Sequence, residues 1–408
     1  MTTRIEATTL IPGRGDAVDN GVVVLDGSVI AFAGAAADAP DTPNAEVTTT
    51  DTVMPGMWEC HGHFTGIYGA NIEETVTTRP QLAAMRTTAD AGRALNAGFT
   101  SVREMGGMGT FLGRAIEEGQ VVGPNVYASG SMLSMTGGHG DSHGMDLGAA
   151  RLARSKNWGE DNIVDGPDEC RAGVRRMLRL GAKVIKIHAS GGVMSELDDP
   201  HLPQFSKPEL EAIVDEATRM ERLVGAHCHG KRGIMAALEA GIMTIEHGTY
   251  LDEEAADAMV ETGASLVPTR FVVDFLMSEG TKRGMPEYAR VKGEAASKSH
   301  VDAVALAHQK GVTIALGTDI WMTGLWGRNG EELPLLVECG LSPLEAIEAA
   351  TANGPATLGP QAPNAGQLLN GMDGDVICVS GNPSNDVSIL ADSDNVTHVF
   401  KGGQKVKG

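Results

Sequence analysis

Six side chains that can take part in a metal site follow short apolar runs in this 408-residue sequence. His61 and His63 are two residues apart, and alternate residues of a strand share a face, so both imidazoles can reach one ion. Imidazole nitrogens and carboxylate oxygens suit Zn²⁺ or a similar divalent ion. The pattern predicts a metal site assembled from several strand ends. The complete set is His61, His63, Lys186, His227, His247 and Asp319.

Lys186 is the least expected member of this set, because its neighbours in Val184-Ile-Lys186-Ile are apolar. A buried ammonium needs a compensating partner. One interpretation is an ion pair with a carboxylate such as Glu104 or Glu246. The other is carbamylation by CO2, which turns the cation into a carboxylate able to bridge two metal ions.

Two divalent ions, with Zn²⁺ the expected metal, would share a water and supply hydroxide near neutral pH. The second ion can also polarise a substrate carbonyl. Asp319 is then suited to act as general base toward that water and as proton donor to the leaving nitrogen. This chemistry is hydrolysis of an amide, an ester or a related C–N bond in a small-molecule substrate.

The elements that must position these side chains alternate between strand and helix. Eight apolar runs end near residues 60, 103, 130, 188, 228, 247, 268 and 318, and helical patterns lie between most of them. This alternation predicts an α/β fold, a (β/α)8 TIM-type barrel over residues 53–356, with its active site at the carboxyl ends of the strands. The clearest helical patterns cover residues 81–96, 167–180, 207–223 and 299–310.

The two ends of the chain are rich in strand patterns instead. Residues 21–33 read as a β-hairpin that closes at Asp26-Gly27, and short strands return near the other end. Neither end holds enough strand to fold alone. We therefore predict that residues 1–52 and 357–408 pair into one small discontinuous β-sandwich.

The bulk properties exclude several classes of protein. A formal charge of −21 disfavours nucleic-acid binding, which needs a cationic face. The five cysteines are scattered, the first residues lack the apolar segment of a secretory signal, and an apolar stretch long enough for a membrane span is absent. We expect a cytoplasmic protein with reduced thiols and no membrane partner.

The order of the six residues resembles that of the amidohydrolase superfamily: HxH after the first barrel strand, then Lys, His, His and Asp after the fourth, fifth, sixth and eighth. The resemblance covers nearly the whole chain. It implies one ion held by His61, His63 and Asp319, a second held by His227 and His247, and Lys186 bridging them. Glu59 departs from the family's PGxxDxHxH pattern, which usually has Asp there.

Two glycine-rich segments, residues 136–141 and 188–193, resemble the imidazolonepropionase-like branch and, within it, metal-dependent dipeptidases. This resemblance implies Xaa-Pro or Xaa-Arg peptides or N-acyl amino acids as substrates; relatives in the branch hydrolyse the amide of ochratoxin. It also implies a homo-oligomer as the expected assembly. His229 stands where several of these peptidases have Tyr, which alters the expected contacts to a substrate carboxylate.

Six further side chains at predicted strand ends are expected to line the substrate pocket. We hypothesise that His139, His229 and Arg270 include the groups that bind an anionic C-terminal group, since a guanidinium can bind a carboxylate bidentately. A loop histidine bonded to a carbonyl and a surface ion pair of Arg270 are the alternatives. Residues 271–290 form either a lid or an ordinary barrel helix with a long loop. The six are His139, His188, His229, Tyr250, Arg270 and Trp321.

Two other functions remain open at this point. One keeps the metal chemistry but opens a cyclic amide, such as an imidazolone-like ring, or cleaves a xenobiotic amide, urea or carbamate such as a mycotoxin. The other is a metal-binding scaffold without catalysis. The sequence lacks the HExxH motif of zinc peptidases, so that mechanism is disfavoured.

Overall fold

The computed structural model describes residues 2–408, which form an α/β fold with three sheets. The strands are β1 (Thr2–Leu10), β2 (Val18–Asp26), β3 (Val29–Ala35), β4 (Glu46–Pro55), β5 (Met57–Ile67), β6 (Phe99–Glu104), β7 (Asn125–Ala128), β8 (Ile185–His188), β9 (Val224–Gly230), β10 (Thr244–Tyr250), β11 (Ser265–Val267), β12 (Ile320–Met322), β13 (Val376–Val379), β14 (Val396–Lys401) and β15 (Gln404–Lys407).

Helices connect most of the parallel strands. The α-helices are α1 (Glu74–Thr77), α2 (Pro80–Asn96), α3 (Gly109–Glu117), α4 (Leu147–Trp158), α5 (Gly166–Arg179), α6 (Lys207–Arg219), α7 (Lys231–Glu239), α8 (Glu253–Thr262), α9 (Arg270–Glu279), α10 (Glu287–Lys310), α11 (Glu332–Glu338) and α12 (Pro343–Ala349). Short 3₁₀ segments are Ala36–Asp38, Gly280–Arg283, Asn329–Glu331, Pro355–Gln361, Val387–Ala391 and Ser393–Asn395.

Both chain ends contribute to a seven-stranded sheet with the order β15-β14-β13-β4-β1-β2-β3. Its central strand β4 runs parallel to β1 and antiparallel to β13, and thereby joins the first part of the chain to the last. The ends thus pair with each other, but their strands belong to one hydrogen-bonded sheet, whereas we predicted a sandwich of two. Strand β4 also continues to Pro55, beyond the predicted boundary at residue 52.

Strand β13 connects the small core of this sheet to the large core of the protein. Val376 and Cys378 pack in the small core, whereas Ile377 belongs to the large one. Successive residues of a strand point to opposite faces, so a fully buried strand can serve two cores. The seven-stranded sheet is therefore packed against the rest of the molecule through an apolar face.

The other two sheets are parallel, with the orders β12-β5-β6-β7 and β11-β10-β9-β8. Backbone hydrogen bonds connect them at one side, where β7 and the residues after it meet β8. The amide of Lys183 donates to the carbonyl of Ala128 at 2.8 Å, and the amide of Leu133 donates to that of Lys186 at 2.8 Å. The chain therefore continues the parallel arrangement from the first of these sheets into the second.

The opposite side of the two sheets is joined by residues 313–316. The amide of Leu266 in β11 donates to the carbonyl of Thr313 at 2.9 Å. The amide of Cys60 in β5 donates to the carbonyl of Leu316 at 2.8 Å. This segment therefore lies between β11 and β5, directly before Asp319.

The helices begin where local sequence signals place them, with one large exception. Ser206 and Glu209 form a capping box at the start of α6, and the proline that follows Ser206 suits the first helical turn. The predicted helix at 299–310 is only the second half of α10, because residues 287–298 are mostly polar or small and mask the apolar periodicity. Among residues 2–408, no helix has the length and apolar character needed to cross a bilayer.

Truncating Ile377 tests the packing between the seven-stranded sheet and the large core. Because this side chain is fully buried, Ile377→Ala should lower the free energy of unfolding by about 2–5 kcal/mol. Val406→Ala, at a partly exposed position in β15, should change it by less than about 0.5 kcal/mol. Urea unfolding followed by circular dichroism measures both, and equal midpoints for the two variants would contradict this packing.

Candidate active site

The first two histidines of the site lie on β5, which is buried along its whole length. The Nδ1 of His63 donates to the carbonyl of Gly106 at 2.7 Å, since that carbonyl can only accept. This hydrogen bond leaves Nε2 of His63 as the free ring nitrogen. Nε2 lies 3.0 Å from Oδ1 of Asp319, so the strand and the loop before β12 converge at this point.

His61 is oriented from below by a buried ion pair. Its Nδ1 donates to Oε2 of Glu246 at 2.7 Å, and Arg103 donates to both oxygens of that carboxylate at 2.8 Å. Burial favours the neutral form of Glu246, but the charge of Arg103 and the contact with His61 hold its pKa far below the usual range. Glu246 is therefore an anion that fixes the His61 tautomer and leaves Nε2 free.

Lys186 lies at the floor of the site without a carboxylate partner among the residues described. Its Nζ is 3.1 Å from Nε2 of His61, and burial lowers the pKa of Lys186 to about 8. Glu246 is already held by Arg103, and Glu104 lies against the backbone of residues 106–109. Lys186 therefore forms an ion pair with neither Glu104 nor Glu246, the two partners considered from the sequence.

His61, His247 and Asp319 bring one ligand atom each to within 4.8 Å of one another. The backbone of His247 has a φ of 72° and that of Asp319 a φ of 57°, which are costly for residues with a side chain. Thr269, at 55°, completes this group, and its hydroxyl lies 2.7 Å from Nδ1 of His247. The donor set and its spacing fit a divalent metal ion.

Four further histidines extend this group across the floor of the site. The ring of His227 lies 4.7 Å from that of His247, 4.6 Å from that of His229 and 4.2 Å from that of His139, measured between centroids. The ring of His188 is 5.3 Å from that of His227. Burial holds the pKa of each of these rings well below its usual range, so all are neutral at physiological pH.

A cavity of about 140 Å³ opens above these residues. All six predicted metal ligands line it, and so do His139, His188, His229 and Trp321. The apolar part of the lining comes mainly from α9, through Val272, Val273, Leu276 and Met277. Within residues 271–290, the lining side chains therefore come from α9 and from Tyr288 at the start of α10.

Arg270 and Tyr250 do not line this cavity, contrary to our expectation from the sequence. The guanidinium of Arg270 lies against the buried His300, with its Nη1 3.2 Å from Nδ1, and the ring of Tyr250 packs on His201. The left-handed backbone of Thr269 ends the extended segment after β11 and starts α9. Strand alternation does not continue through such a turn, which is why the prediction for Arg270 is wrong.

His139 is held by a polar chain that the sequence did not indicate. Its Nδ1 is 2.7 Å from Oγ of Ser195, and that hydroxyl donates to Asp198. Lys292 of α10 donates to the carbonyl of Ser195 at 2.8 Å and to the carboxylate of Asp198 at 3.3 Å. The alternative of a histidine bonded to a loop carbonyl is therefore wrong for Nδ1 of His139.

Glu59, the departure from the family pattern, connects β5 to the segment that carries Asp319. Its carboxyl accepts from the amides of His61 and Thr318 at 2.8 and 2.9 Å. It also accepts from the Thr318 hydroxyl at 2.6 Å and from the Asn329 side chain at 2.7 Å. Burial raises the pKa of Glu59 to about 7. The longer side chain thus fixes the backbone on either side of the site.

Sequence reasoning missed two arginines that act on this site or line it. Arg103 precedes Glu104 at the end of β6, a strand in which every residue is buried, so a charge at a predicted strand end was a usable signal. Arg154 of α4 lines the cavity, yet it lies in a helix with several basic residues and gave no signal. Helical position alone does not tell a buried arginine from a solvated one.

Comparison with known proteins defines the class of the chain. The Amidohydrolase family matches residues 52–406, so the chain belongs to the amidohydrolase family. It is a hydrolase that acts on C–N bonds. This assignment confirms the resemblance inferred from the sequence and removes the alternative of a non-catalytic scaffold.

Three relatives show where in the family the chain lies. It is 44% identical over 421 residues to ochratoxinase of Aspergillus niger, covering 100% of this chain and 87% of the relative. The crystal structure of that enzyme superposes with a TM-score of 0.92 at 42% identity, covering 100% of this chain and 96% of the other. A prolidase complexed with N-methylphosphonate-L-proline has a TM-score of 0.92 at 34% identity, and a Xaa-Pro dipeptidase with bound methionine has 0.86 at 31%; both alignments cover 100% of each chain.

Replacing Glu246 tests whether the buried ion pair orients His61. Glu246→Gln leaves Arg103 without its anion and weakens the hold on Nδ1 of His61, so the affinity for Zn²⁺ should fall about 10- to 100-fold. Glu216→Gln, which removes the anion paired with Arg175 between α5 and α6, should leave it unchanged. Competition with a chromophoric chelator measures both affinities, and wild-type affinity in Glu246→Gln would refute the role of this pair.

Proposed function

We propose that this hydrolase cleaves the amide bond of a dipeptide or an N-acyl amino acid. The observation that carries the proposal is the cavity itself, which is lined both by the His61, His247 and Asp319 cluster and by apolar side chains of α9. The cluster suits attack on a carbonyl, and the side chains of α9 suit an apolar acyl group or side chain. The relatives support this substrate class, because a prolidase and a Xaa-Pro dipeptidase act on bonds to amino acids.

We also propose that residues 53–356 contain a (β/α)8 barrel and that residues 1–52 and 357–408 form the separate β domain, with the end of β4 (to Pro55) belonging to the β domain. The backbone hydrogen bonds at both sides of the two parallel sheets support this arrangement. The segment 313–316 would then count as the last strand of the barrel. The carboxyl ends of the strands would carry the site, as is usual in this architecture.

The metal ligands in this proposal are the six side chains at the cavity floor. His61, His63 and Asp319 would hold one divalent ion, His227 and His247 a second, and a carbamate on Lys186 would lie between them. The neutral imidazoles and the anionic Asp319 suit Zn²⁺ best. Such ions, when bound, activate water as a nucleophile and polarise a carbonyl.

The environment of Lys186 favours its carbamylation. The nitrogen lone pair attacks the carbon of CO2, a proton leaves the nitrogen, and a carbamate anion remains. Only the neutral amine can react in this way, and burial at the cavity floor favours the neutral amine. The product would convert a buried cation into an anion among the neutral rings.

Asp319 is the proposed general base and acid. Burial favours its neutral form, but His61 and His63 hold the pKa of Asp319 below its usual range. The carboxylate is therefore ionised and can accept a proton from the attacking water, then donate it to the leaving nitrogen. His139 and His229 are held through Nδ1 by Ser195 and Thr249, which leaves their Nε2 atoms for substrate contacts.

Removal of metal and replacement of Asp319 test the proposed mechanism. Dialysis against a chelator should abolish hydrolysis of N-benzoyl-L-leucine, and added Zn²⁺ should restore it. Asp319→Asn should lower kcat at least about 100-fold because the proton acceptor is lost. Asp257→Asn, which removes a surface ion pair with Lys310, should keep wild-type kcat. Full activity after chelation would rule out the metal mechanism.

A substrate panel tests the proposed class of substrate. N-benzoyl-L-leucine and leucyl-proline should be cleaved with a kcat/KM at least about tenfold above those of dihydrouracil, a cyclic amide, and of a phenylurea, because the apolar side chains of α9 in the cavity suit an open-chain acyl amino acid. Release of free amino acid or amine is measured by chromatography. Preferential opening of dihydrouracil would favour the cyclic-amide alternative, and preferential cleavage of the phenylurea would favour the xenobiotic one.

A further inference from the structure

Arg154 is a buried cation in the cavity wall for which the fold provides no anion. Its exposed fraction is 6%, and it lines the same cavity as the proposed metal ligands. Its Nε and Nη1 atoms are buried, and neither has a hydrogen-bond partner among the residues described. A buried guanidinium without a partner is costly, so a folded protein keeps one where a ligand completes it.

The contrast with Arg103 shows that this protein can satisfy a buried arginine. Arg103 is fully buried, and its nitrogens donate to the carbonyl of Cys60, to the hydroxyl of Thr244 and to the carboxylate of Glu246. Arg154 has no such set of acceptors. Burial lowers the pKa of Arg154 to about 10, so the side chain remains charged at neutral pH.

The side chain of Arg154 is also fixed in place. Its guanidinium lies over the ring of Trp158 at 4.2 Å from the centroid, and Trp158 is itself buried. A cation–π contact of this kind orients the guanidinium plane without using its N–H donors. The donors thus remain available, and the side chain does not need to be ordered when a ligand binds.

Arg154 shares the cavity with the histidines of the site, among them His188. The ring of His188 lies 5.0 Å from that of His139 and 5.3 Å from that of His227. An anion bound to Arg154 would therefore lie near the proposed catalytic residue Asp319 without displacing it.

We propose that Arg154 binds the carboxylate of the amino-acid portion of the substrate. This inference rests on the proposed amide hydrolysis. It assigns to Arg154 the carboxylate-binding role that we expected for Arg270 from the sequence. The planar fork of a guanidinium matches a carboxylate bidentately. Among residues 2–408, the lysines and arginines that line this cavity are Lys186, at its floor, and Arg154. So small a positive charge favours a monoanion over a phosphate dianion.

Asp141 also lines the cavity, but its carboxylate does not take the place of the proposed ligand. Asp141 raises the pKa of Arg154 through its charge, but its Oδ2 accepts from the amide of Gly137 at 2.9 Å. No ion pair joins Asp141 to Arg154 in residues 2–408. The guanidinium of Arg154 therefore still lacks an anionic partner.

Paired substrates test this assignment. Arg154→Met should lower kcat/KM for N-benzoyl-L-leucine about 10- to 100-fold, the loss expected for a charge-assisted contact, and should leave kcat/KM for N-benzoyl-L-leucinamide within about twofold. Arg154→Lys should retain part of the preference for the acid. Arg151→Met on the same helix, which removes a contact with Asp161, should keep the wild-type ratio. Equal losses for acid and amide would overturn the assignment and indicate a structural role.

A binding measurement separates this inference from the proposed function. Calorimetry in the Asp319→Asn background should show N-benzoyl-L-leucine binding about 10- to 100-fold more weakly when Arg154→Met is added. Unchanged affinity, or no binding in the background variant, would overturn the role of Arg154. Failure of the wild-type protein to cleave any acid or amide would instead refute the proposed function, while the binding comparison would still decide the role of Arg154.

Discussion

The buried ion pair between Arg103 and Glu246 is the interaction on which the geometry of the site depends. It lies directly beneath His61, and its carboxylate accepts from Nδ1 of that ring. A charge this deeply buried is tolerated only when its hydrogen bonds are complete. Arg103 meets that condition with three partners on two strands, Cys60 on β5 and Thr244 and Glu246 on β10. The pair therefore fixes the tautomer and orientation of His61 and joins β5, β6 and β10 below the cavity.

Backbone strain is also concentrated near the cavity. His247, Thr269 and Asp319 adopt left-handed backbone conformations that glycine would accept at lower cost. Each is held by contacts that over-determine its position: the hydroxyl of Thr269 lies against His247, and Glu59 secures the residue before Asp319. The protein accepts this cost where side chains of several strands must converge on one small volume. Strain and buried charge are thus concentrated in the part of the molecule that carries the chemistry.

The predictions from the sequence divide according to the physical signal they used. Strand periodicity led to six side chains that do meet around one cavity: His61, His63, Lys186, His227, His247 and Asp319. The same periodicity misled for Arg270, because the chain turns at Thr269 before that residue is reached. The long helix α10 was recognised only in its second half, where apolar residues recur at helical spacing. The pairing of the two chain ends was expected, but not the single sheet that they form.

The sequence by itself determined the family, the α/β alternation and the side chains of the proposed metal site, since each of these depends on residue type and short-range spacing. Tertiary structure alone decided which charged side chains face the cavity. Arg154 and Arg270 are both buried arginines on helices, yet one lines the cavity and the other packs against His300. The difference arises from how α4 and α9 are placed against the strands, and that placement depends on contacts between residues far apart in the chain.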